Sequence, residues 1–197
     1  LSSDSIASTD GHRLSYVPVT LPFTSINVPS YVLSLLPKFN IVSAEVNVSV
    51  SGTVLGIKFD NTELYTRLVE GQYPNVAGLI PKSFNHEFEL NTEETIKRIE
   101  AALVFSLNQS VTLIFQSDGI LITADCKERG SIEEFIEGAY GDSRFSFSVN
   151  GSYLRDALKA MKTDICLLKA NTQTSPVVIS PDGNDWTHLL MPIQKRQ

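Results

Sequence analysis

Three stretches of this chain repeat one pattern, and a repeat of that size decides most of what can be built from it. The first copy opens at Val28-Pro29-Ser30, carries the apolar run Tyr31 to Leu36, and breaks at Pro37. Alternating runs follow at 44–50, 54–59 and 64–69. The second opens at Leu90-Asn91-Thr92. Inside 93–105 it places Ile96, Ile99 and Leu103 at helical spacing, then continues through 111–115, 120–124 and 132–136. The third opens at Val149-Asn150-Gly151, puts Leu154, Leu158 and Met161 on one helical face, and runs on through 165–168, 177–179 and 186–191. Openings at 28, 90 and 149 give a period of roughly sixty residues, so each copy is one helix and about four strands. Thr92 is placed to cap the second helix, with Glu93 and Glu94 against its positive end. Ser117-Asp118-Gly119 and Asp182-Gly183 have hairpin-turn chemistry.

A unit of this kind leaves a helix stripe and a sheet face apolar, and burying both requires a partner unit. The expected fold is therefore α+β with antiparallel sheets. Three copies do not pair evenly, and the stub Ile6 to Val19 before them reads as the last strands of a fourth. With Leu1 rather than Met at its start, the chain reads as a fragment lacking material upstream.

Composition narrows the function classes. A net charge of −6 excludes a wholesale basic footprint for nucleic acid and still permits a locally basic face. Cys126 and Cys166 lie far apart, and His12, His86 and His188 are equally scattered, so neither a structural metal nor a cofactor is expected. Lone cysteines in strand-like runs suit a reducing, cytoplasmic setting. No run is long and apolar enough for a membrane helix, and nothing at the start resembles a signal peptide.

One cluster invites a catalytic reading. Asp10-Gly11-His12-Arg13 packs a carboxylate, an imidazole and a guanidinium together, and Asp10 with His12 could serve a small hydrolase as an acid–base pair. No nucleophile context accompanies them. Asp10-Gly11 is also a turn signal, and 13–17 alternates as a strand, so the same residues read equally as a solvated turn.

Five motifs in order carry a resemblance: Ser8-Thr9-Asp10-Gly11-His12-Arg13-Leu14, Arg67-Leu68-Val69-Glu70-Gly71-Gln72-Tyr73-Pro74-Asn75, Val149-Asn150-Gly151-Ser152-Tyr153-Leu154-Arg155-Asp156-Ala157-Leu158, Thr174-Ser175-Pro176-Val177, and Leu190-Met191-Pro192-Ile193. Together they resemble the bacterial sliding-clamp family, the beta subunit of DNA polymerase III. The resemblance implies the clamp fold: paired repeats, sheets outside and helices inside, three domains per subunit, two subunits closing a ring around duplex DNA. Residues 1–81 then correspond to the second half of the middle domain and 82–197 to the third domain. The implied role is that of a non-catalytic processivity subunit of a DNA-directed DNA polymerase holoenzyme, working in the cytoplasm at the replication fork. Its partners would be double-stranded DNA held through phosphates, DNA polymerase III and other proteins bearing clamp-binding motifs, the clamp loader, and a second subunit.

The resemblance also assigns residues. Thr9, Gly11, His12, Arg13 and Leu14 would form one wall of a pocket for short partner peptides, Pro74 and Leu79 its junction, and Asn150, Tyr153, Ser175, Leu189, Met191, Pro192 and Ile193 its far side. Leu14, Leu79, Leu189, Met191 and Ile193 would supply apolar surface, which is what peptide anchoring needs. The plainer readings are a core aromatic for Tyr153 and an edge-strand ending for Met191-Pro192. Lys97, Arg98, Arg155, Lys159 and Lys162 would face DNA, although a basic stripe is also the ordinary solvated side of an amphipathic helix. Val104 and Phe105 would meet the neighbouring subunit in a ring. The chain departs from the family pattern at Gly78, where many members carry arginine, and in running on through 194–197. A stand-alone peptide-binding module that never encircles DNA is the alternative.

Overall fold

The protein is described by a computed structural model, covering residues 1–21, 24–39, 45–73, 75–106, 108–126, 128, 130–138, 140, 144–183 and 186–194. It divides into two compact units. One comprises Leu1–Ser8 with Val17–Val76, the other Thr9–Tyr16 with Ala77–Gln197. The division does not follow chain order: the segment Thr9–Tyr16 packs with the second unit although both its flanks belong to the first.

The second unit holds two successive copies of one β-α-β-β-β element. The first copy is β6 (His86–Asn91), α2 (Thr92–Val104), β7 (Ser110–Gln116), β8 (Gly119–Cys126) and β9 (Gly130–Glu137). The second is β10 (Phe145–Asn150), α3 (Gly151–Met161), β11 (Ile165–Ala170), β12 (Val177–Pro181) and β13 (Thr187–Leu190). Each copy lends its opening strand to the other. β10 pairs antiparallel with β7, and β6 pairs antiparallel with β11. The exchange gives a four-stranded sheet in the order β10-β7-β8-β9 and a second sheet running β13-β12-β11-β6. The latter is extended past β13 by β2 (Arg13–Pro18), whose hairpin partner is β1 (Ser5–Thr9). One core joins the two copies: Ile99 and Ala102 of α2 and Leu154, Leu158 and Met161 of α3 are buried with Phe115, Leu113, Leu168 and Ile179 of the sheets.

The helices begin where the sequence stops favouring a strand. Asn91 ends β6 and its side chain accepts a hydrogen bond from Glu94 N at 2.9 Å; Asn150 ends β10 and accepts from Tyr153 N at 3.1 Å. The cap of α2 is thus Asn91, not Thr92, which forms the first helical residue and is buried. Both residue types can accept from the first turn, and the strand that runs into the helix decides which does. Glu93 and Glu94 lie in the first turn of α2, as expected.

The first unit carries the remaining copy in reduced form. Here α1 (Ser30–Leu33) lasts one turn, followed by a 3-10 turn at Leu36–Lys38. Pro29 stands at the cap with no side-chain bond, no acidic residue enters the first turn, and Pro37 removes a donor further on. The strands β3 (Asn47–Ser51), β4 (Val54–Phe59) and β5 (Thr62–Arg67) form a three-stranded meander over Leu55, Ile57, Phe59 and Ile26.

Candidate functional site

The turn that joins β1 to β2 is ordered by its own side chains. Thr9 Oγ1 accepts from Gly11 N at 3.1 Å and donates to Arg13 O at 2.8 Å. Asp10 Oδ1 accepts from His12 N and Arg13 N, each at 3.0 Å. Gly11 takes φ +87, a left-handed conformation that side chains disfavour. Desolvation raises the pKa of Asp10, but the hydrogen bonds from His12 N and from Arg13, with the charge of Arg13, outweigh it and hold the carboxyl below its ordinary range.

Arg13 then ties this turn to α3. Its Nε donates to Asp10 Oδ2 at 2.9 Å, its Nη1 donates to Asp156 Oδ2 at 3.2 Å, and its guanidinium lies over the Tyr153 ring, 4.2 Å from the centroid. Tyr153 and Asp156 are three apart on α3 and so share a face. On the other side, Met191 N donates to His12 O at 2.9 Å, continuing the β2–β13 ladder in which Leu14 lies opposite Leu189 and Arg13 opposite Leu190.

The structure therefore brings Thr9, Gly11, His12, Arg13, Tyr153 and Met191 together, with Asn150 holding the first turn of α3 beneath Tyr153. Met191 is 44% exposed and offers apolar surface; Pro192 and Ile193 follow it, half-buried. Leu14 and Leu189 behave differently from the expectation. At 3% and 6% exposure they fill the sheet face behind the wall rather than presenting surface, because cross-strand partners on a covered face bury each other. Leu79 is 59% exposed in a short 3-10 turn, Ala77–Leu79. Ser175 exchanges hydrogen bonds with Thr172, donating from N to Thr172 Oγ1 at 3.0 Å and accepting from Thr172 N at 2.8 Å. Pro74 lies outside the described residues.

Two contributors escaped the sequence reading. Asp156 is one; the other is His188, whose Nδ1 shares a 2.7 Å hydrogen bond with Ser15 Oγ across the β2–β13 pair. Burial, and then the positive charge of Arg13, lower the pKa of His188. Alternation along 13–17 and 186–191 makes both residues strand positions, but no local signal pairs them. Asp10, the acid of the hydrolase reading, spends its oxygens on its own turn and on Arg13. Among the described residues no group of His, Cys, Asp or Glu could hold a metal ion, and burial pushes the Cys166 thiol up to about 11.

The basic residues of α2 and α3 sit on exposed or half-exposed positions, and carboxylates accompany most of them. Lys97 pairs with Glu93 at 2.8 Å, Arg98 with Glu134 at 2.7 Å and Glu94 at 3.4 Å, and Arg155 with Asp156 at 3.1 Å. Lys159 reaches from α3 to Glu100 of α2 at 2.6 Å. Lys162, the left-handed cap of α3, is exposed and forms no ion pair among the described residues. At the end of α2, Val104 is 61% exposed and Phe105 half-buried.

Comparison with known proteins places both units. The family model described as DNA polymerase III beta subunit, C-terminal domain, matches residues 77–194, and that of the central domain matches residues 3–75. The beta sliding clamp of Halalkalibacterium halodurans is 31% identical over 203 residues, which is 95% of this chain and 53% of that protein. That of Synechococcus elongatus is 29% identical over 210 residues, 96% of this chain and 54% of its own. The chain thus spans about half the length of the curated relatives it matches. Among solved structures, the beta subunit from DNA polymerase of Streptococcus pyogenes is similar with a TM-score of 0.88 at 26% identity, covering 99% of this chain and 56% of that one. The sliding clamp of Bartonella birtlesii bound to griselimycin has a TM-score of 0.90 at 20% identity, covering 96% and 54%.

Proposed function

The chain belongs to the DNA polymerase III beta subunit family, and we propose that it is the peptide-docking part of a sliding clamp, spanning the second half of a middle domain (1–81) and a third domain (82–197). It works by binding. A short segment of DNA polymerase III, or of another protein bearing a clamp-binding motif, seats between the Thr9–Arg13 turn and the Met191–Ile193 strand ending, with Tyr153 as the aromatic wall. The observation that carries this reading is the set of contacts around Arg13: a turn distant in sequence is fastened to α3 and β13, leaving apolar Met191 exposed beside a prearranged polar rim. That combination suits a peptide anchor.

In this role no residue of the chain is catalytic. Lys97, Arg98, Arg155, Lys159 and Lys162 face duplex DNA and touch phosphates without reading bases. Val104 and Phe105 meet a second subunit, a clamp loader opens and closes the ring, and the protein acts in the cytoplasm.

Calorimetric titration with a hexapeptide of the Gln-x-x-Leu-Phe type tests the docking site. Binding is expected, weakened by roughly 1–3 kcal/mol in Met191→Ala if that side chain is an anchor. Griselimycin, which the Bartonella birtlesii clamp binds, should compete with the peptide. Affinity unchanged in both Met191→Ala and Tyr153→Ala would place the peptide elsewhere.

A further inference from the structure

Asn150-Gly151 is the one Asn-Gly pair in the chain, and it stands at the start of α3. Two separate demands put it there. The cap requires a short acceptor, which Asn150 supplies to Tyr153 N at 3.1 Å. The next position has no room for a side chain, because a Cβ on Gly151 would lie 2.6 Å from Val111 Cγ2 and 3.0 Å from Leu103 Cδ2. The cap of α2 meets the first demand without the second: Asn91 accepts from Glu94 N in the same way, and Thr92 follows it.

The pair is chemically labile. With no Cβ beside it, the Gly151 nitrogen is open to attack the side-chain amide carbon of Asn150. Its proton passes to hydroxide, the new C–N bond closes a five-membered succinimide, and the side-chain nitrogen leaves as ammonia with a proton taken from water. Water then opens the ring at either imide bond, leaving Asp or isoAsp at 150. One water is consumed, one ammonia is released, and nothing is oxidised or reduced.

The folded cap opposes the first step on both sides of the bond to be made. Gly151 N–H donates to Gln109 O at 2.7 Å, which engages the nucleophile and aims it away from the side chain. Asn150 Oδ1 is held over the first turn of α3 by Tyr153 N, which fixes the electrophile. The backbone at Asn150, φ −67 and ψ 110, nearly matches that at Asn91, φ −68 and ψ 114, and Thr92 N likewise donates to Asp164 O at 2.9 Å. The two caps are one device, and they differ in the residue that follows.

We propose that Asn150 is a deamidation site that the α3 cap keeps silent and that converts when this turn opens. An Asp product still accepts from Tyr153 N. IsoAsp routes the main chain through the side-chain carbon, lengthens the β10–α3 junction by one atom and takes the acceptor off the helix. That product unseats Tyr153 and the Arg13 guanidinium stacked on it.

Peptide mass mapping of the full chain tests it, in mildly alkaline buffer with and without denaturing urea. The unfolded chain should convert at Asn150 roughly tenfold or more faster than at Asn91, where a β-branched residue crowds the attacking nitrogen. The folded chain should convert at Asn150 roughly tenfold or more slower than the unfolded one, because the rate falls with the fraction of time the turn is open. In urea, where native packing plays no part, Gly151→Ala should slow conversion by roughly tenfold. The isoAsp fraction, resolved by chromatography and refolded, should unfold at lower urea than the unconverted fraction by Trp186 fluorescence. Equal rates folded and unfolded would overturn the protection by the cap. Conversion in urea no faster at Asn150 than at Asn91, or unaffected by Gly151→Ala, would overturn the assignment of the site. An unshifted urea midpoint would overturn the structural consequence. None of these readouts uses the hexapeptide, so a failed docking titration leaves them standing.

Discussion

Replacing Arg13 with alanine should loosen the second unit by an amount that the geometry lets one work out. The guanidinium makes two contacts to carboxylates, at 2.9 Å to Asp10 and 3.2 Å to Asp156, with all three side chains about 40–50% exposed. Exposed ion pairs contribute about 0.2–1 kcal/mol each. The stacking on Tyr153 at 4.2 Å adds about 0.5–1 kcal/mol at an exposed site. One guanidinium cannot optimise three partners at once, so the expected loss is about 1.5 kcal/mol. The turn itself should survive, because Asp10 keeps its bonds from the two backbone N–H groups and Met191 keeps His12. Trp186 supplies the assay. It is the chain's sole tryptophan, packs half-buried against the core of the second unit, and meets the His188 ring edge-on at 5.3 Å. Its fluorescence in a urea titration therefore reports this unit. Arg13→Met keeps the apolar stem and removes the charge, separating packing from electrostatics. At about 1 M salt the ion-pair part should shrink and the ring part persist. A double-mutant cycle with Tyr153→Leu should return about 0.5–1 kcal/mol of coupling. A loss below about 0.3 kcal/mol in Arg13→Ala, or zero coupling to Tyr153, would refute the idea that Arg13 fastens the turn to α3.

Three further outcomes are expected. Burial keeps the folded pKa of His188 below 6.5, so the unfolded chain binds the extra proton; stability should fall as pH drops below about 6.5, and His188→Gln should flatten that dependence in Trp186-monitored melts. A Cβ on Gly151 would stand 2.6 Å from Val111 Cγ2 and 3.0 Å from Leu103 Cδ2, so Gly151→Ala should cost about 1–3 kcal/mol, and combining it with Val111→Ala should cost less than the sum of the two. Binding of a duplex measured by anisotropy should depend weakly on salt: five unengaged cations would give a slope near −4.5, whereas the pairing on α2 and α3 points to about −1 to −2, and a slope steeper than about −4 would show that the carboxylates release their partners.

The long amphipathic segments were the most legible part of the fold. Ile99 and Leu103, or Leu154, Leu158 and Met161, repeat at a spacing only a helix satisfies, and α2 and α3 lie where that spacing predicts. Strands β6 and β10 were missed, although Phe88 and Leu90, and Phe145, Phe147 and Val149, alternate plainly. Reading each repeat as starting at its helix cap absorbed their last residues into the opening. The exchange of these strands between copies has no local signature, because it is a choice of partner and not of conformation. The short α1 failed the other way. Tyr31 to Leu36 looks helical by content, but prolines at 29 and 37 leave room for one turn. At the candidate site, the turn chemistry of Asp10-Gly11 was readable, and the partner of Arg13 was not. Asp156 lies 143 residues away, and only the β2–β13 pairing brings it near.

The same electrostatic bookkeeping separates the two surfaces of the proposed clamp. Around the docking site the side chains are committed before any ligand arrives: Thr9 and Asp10 close the turn, Arg13 spans to α3, and Asn150 fixes the backbone under Tyr153. A partner peptide then pays little to order its receptor, so a few anchor residues suffice for useful affinity. On α2 and α3 the cations are held by neighbouring carboxylates on exposed stems, and exposed pairs exchange readily. A phosphate approaching Lys97 or Lys159 shares a cation that its carboxylate keeps, so each contact is weak, and the next phosphate along the duplex meets the same weak contact. Little free energy then distinguishes one position on the duplex from the next, and low barriers between positions are what sliding requires. A wholly unpaired basic face would grip the duplex harder and move along it less freely. The carboxylates that make the chain acidic overall therefore serve the proposed role at the one surface where a basic footprint was first sought.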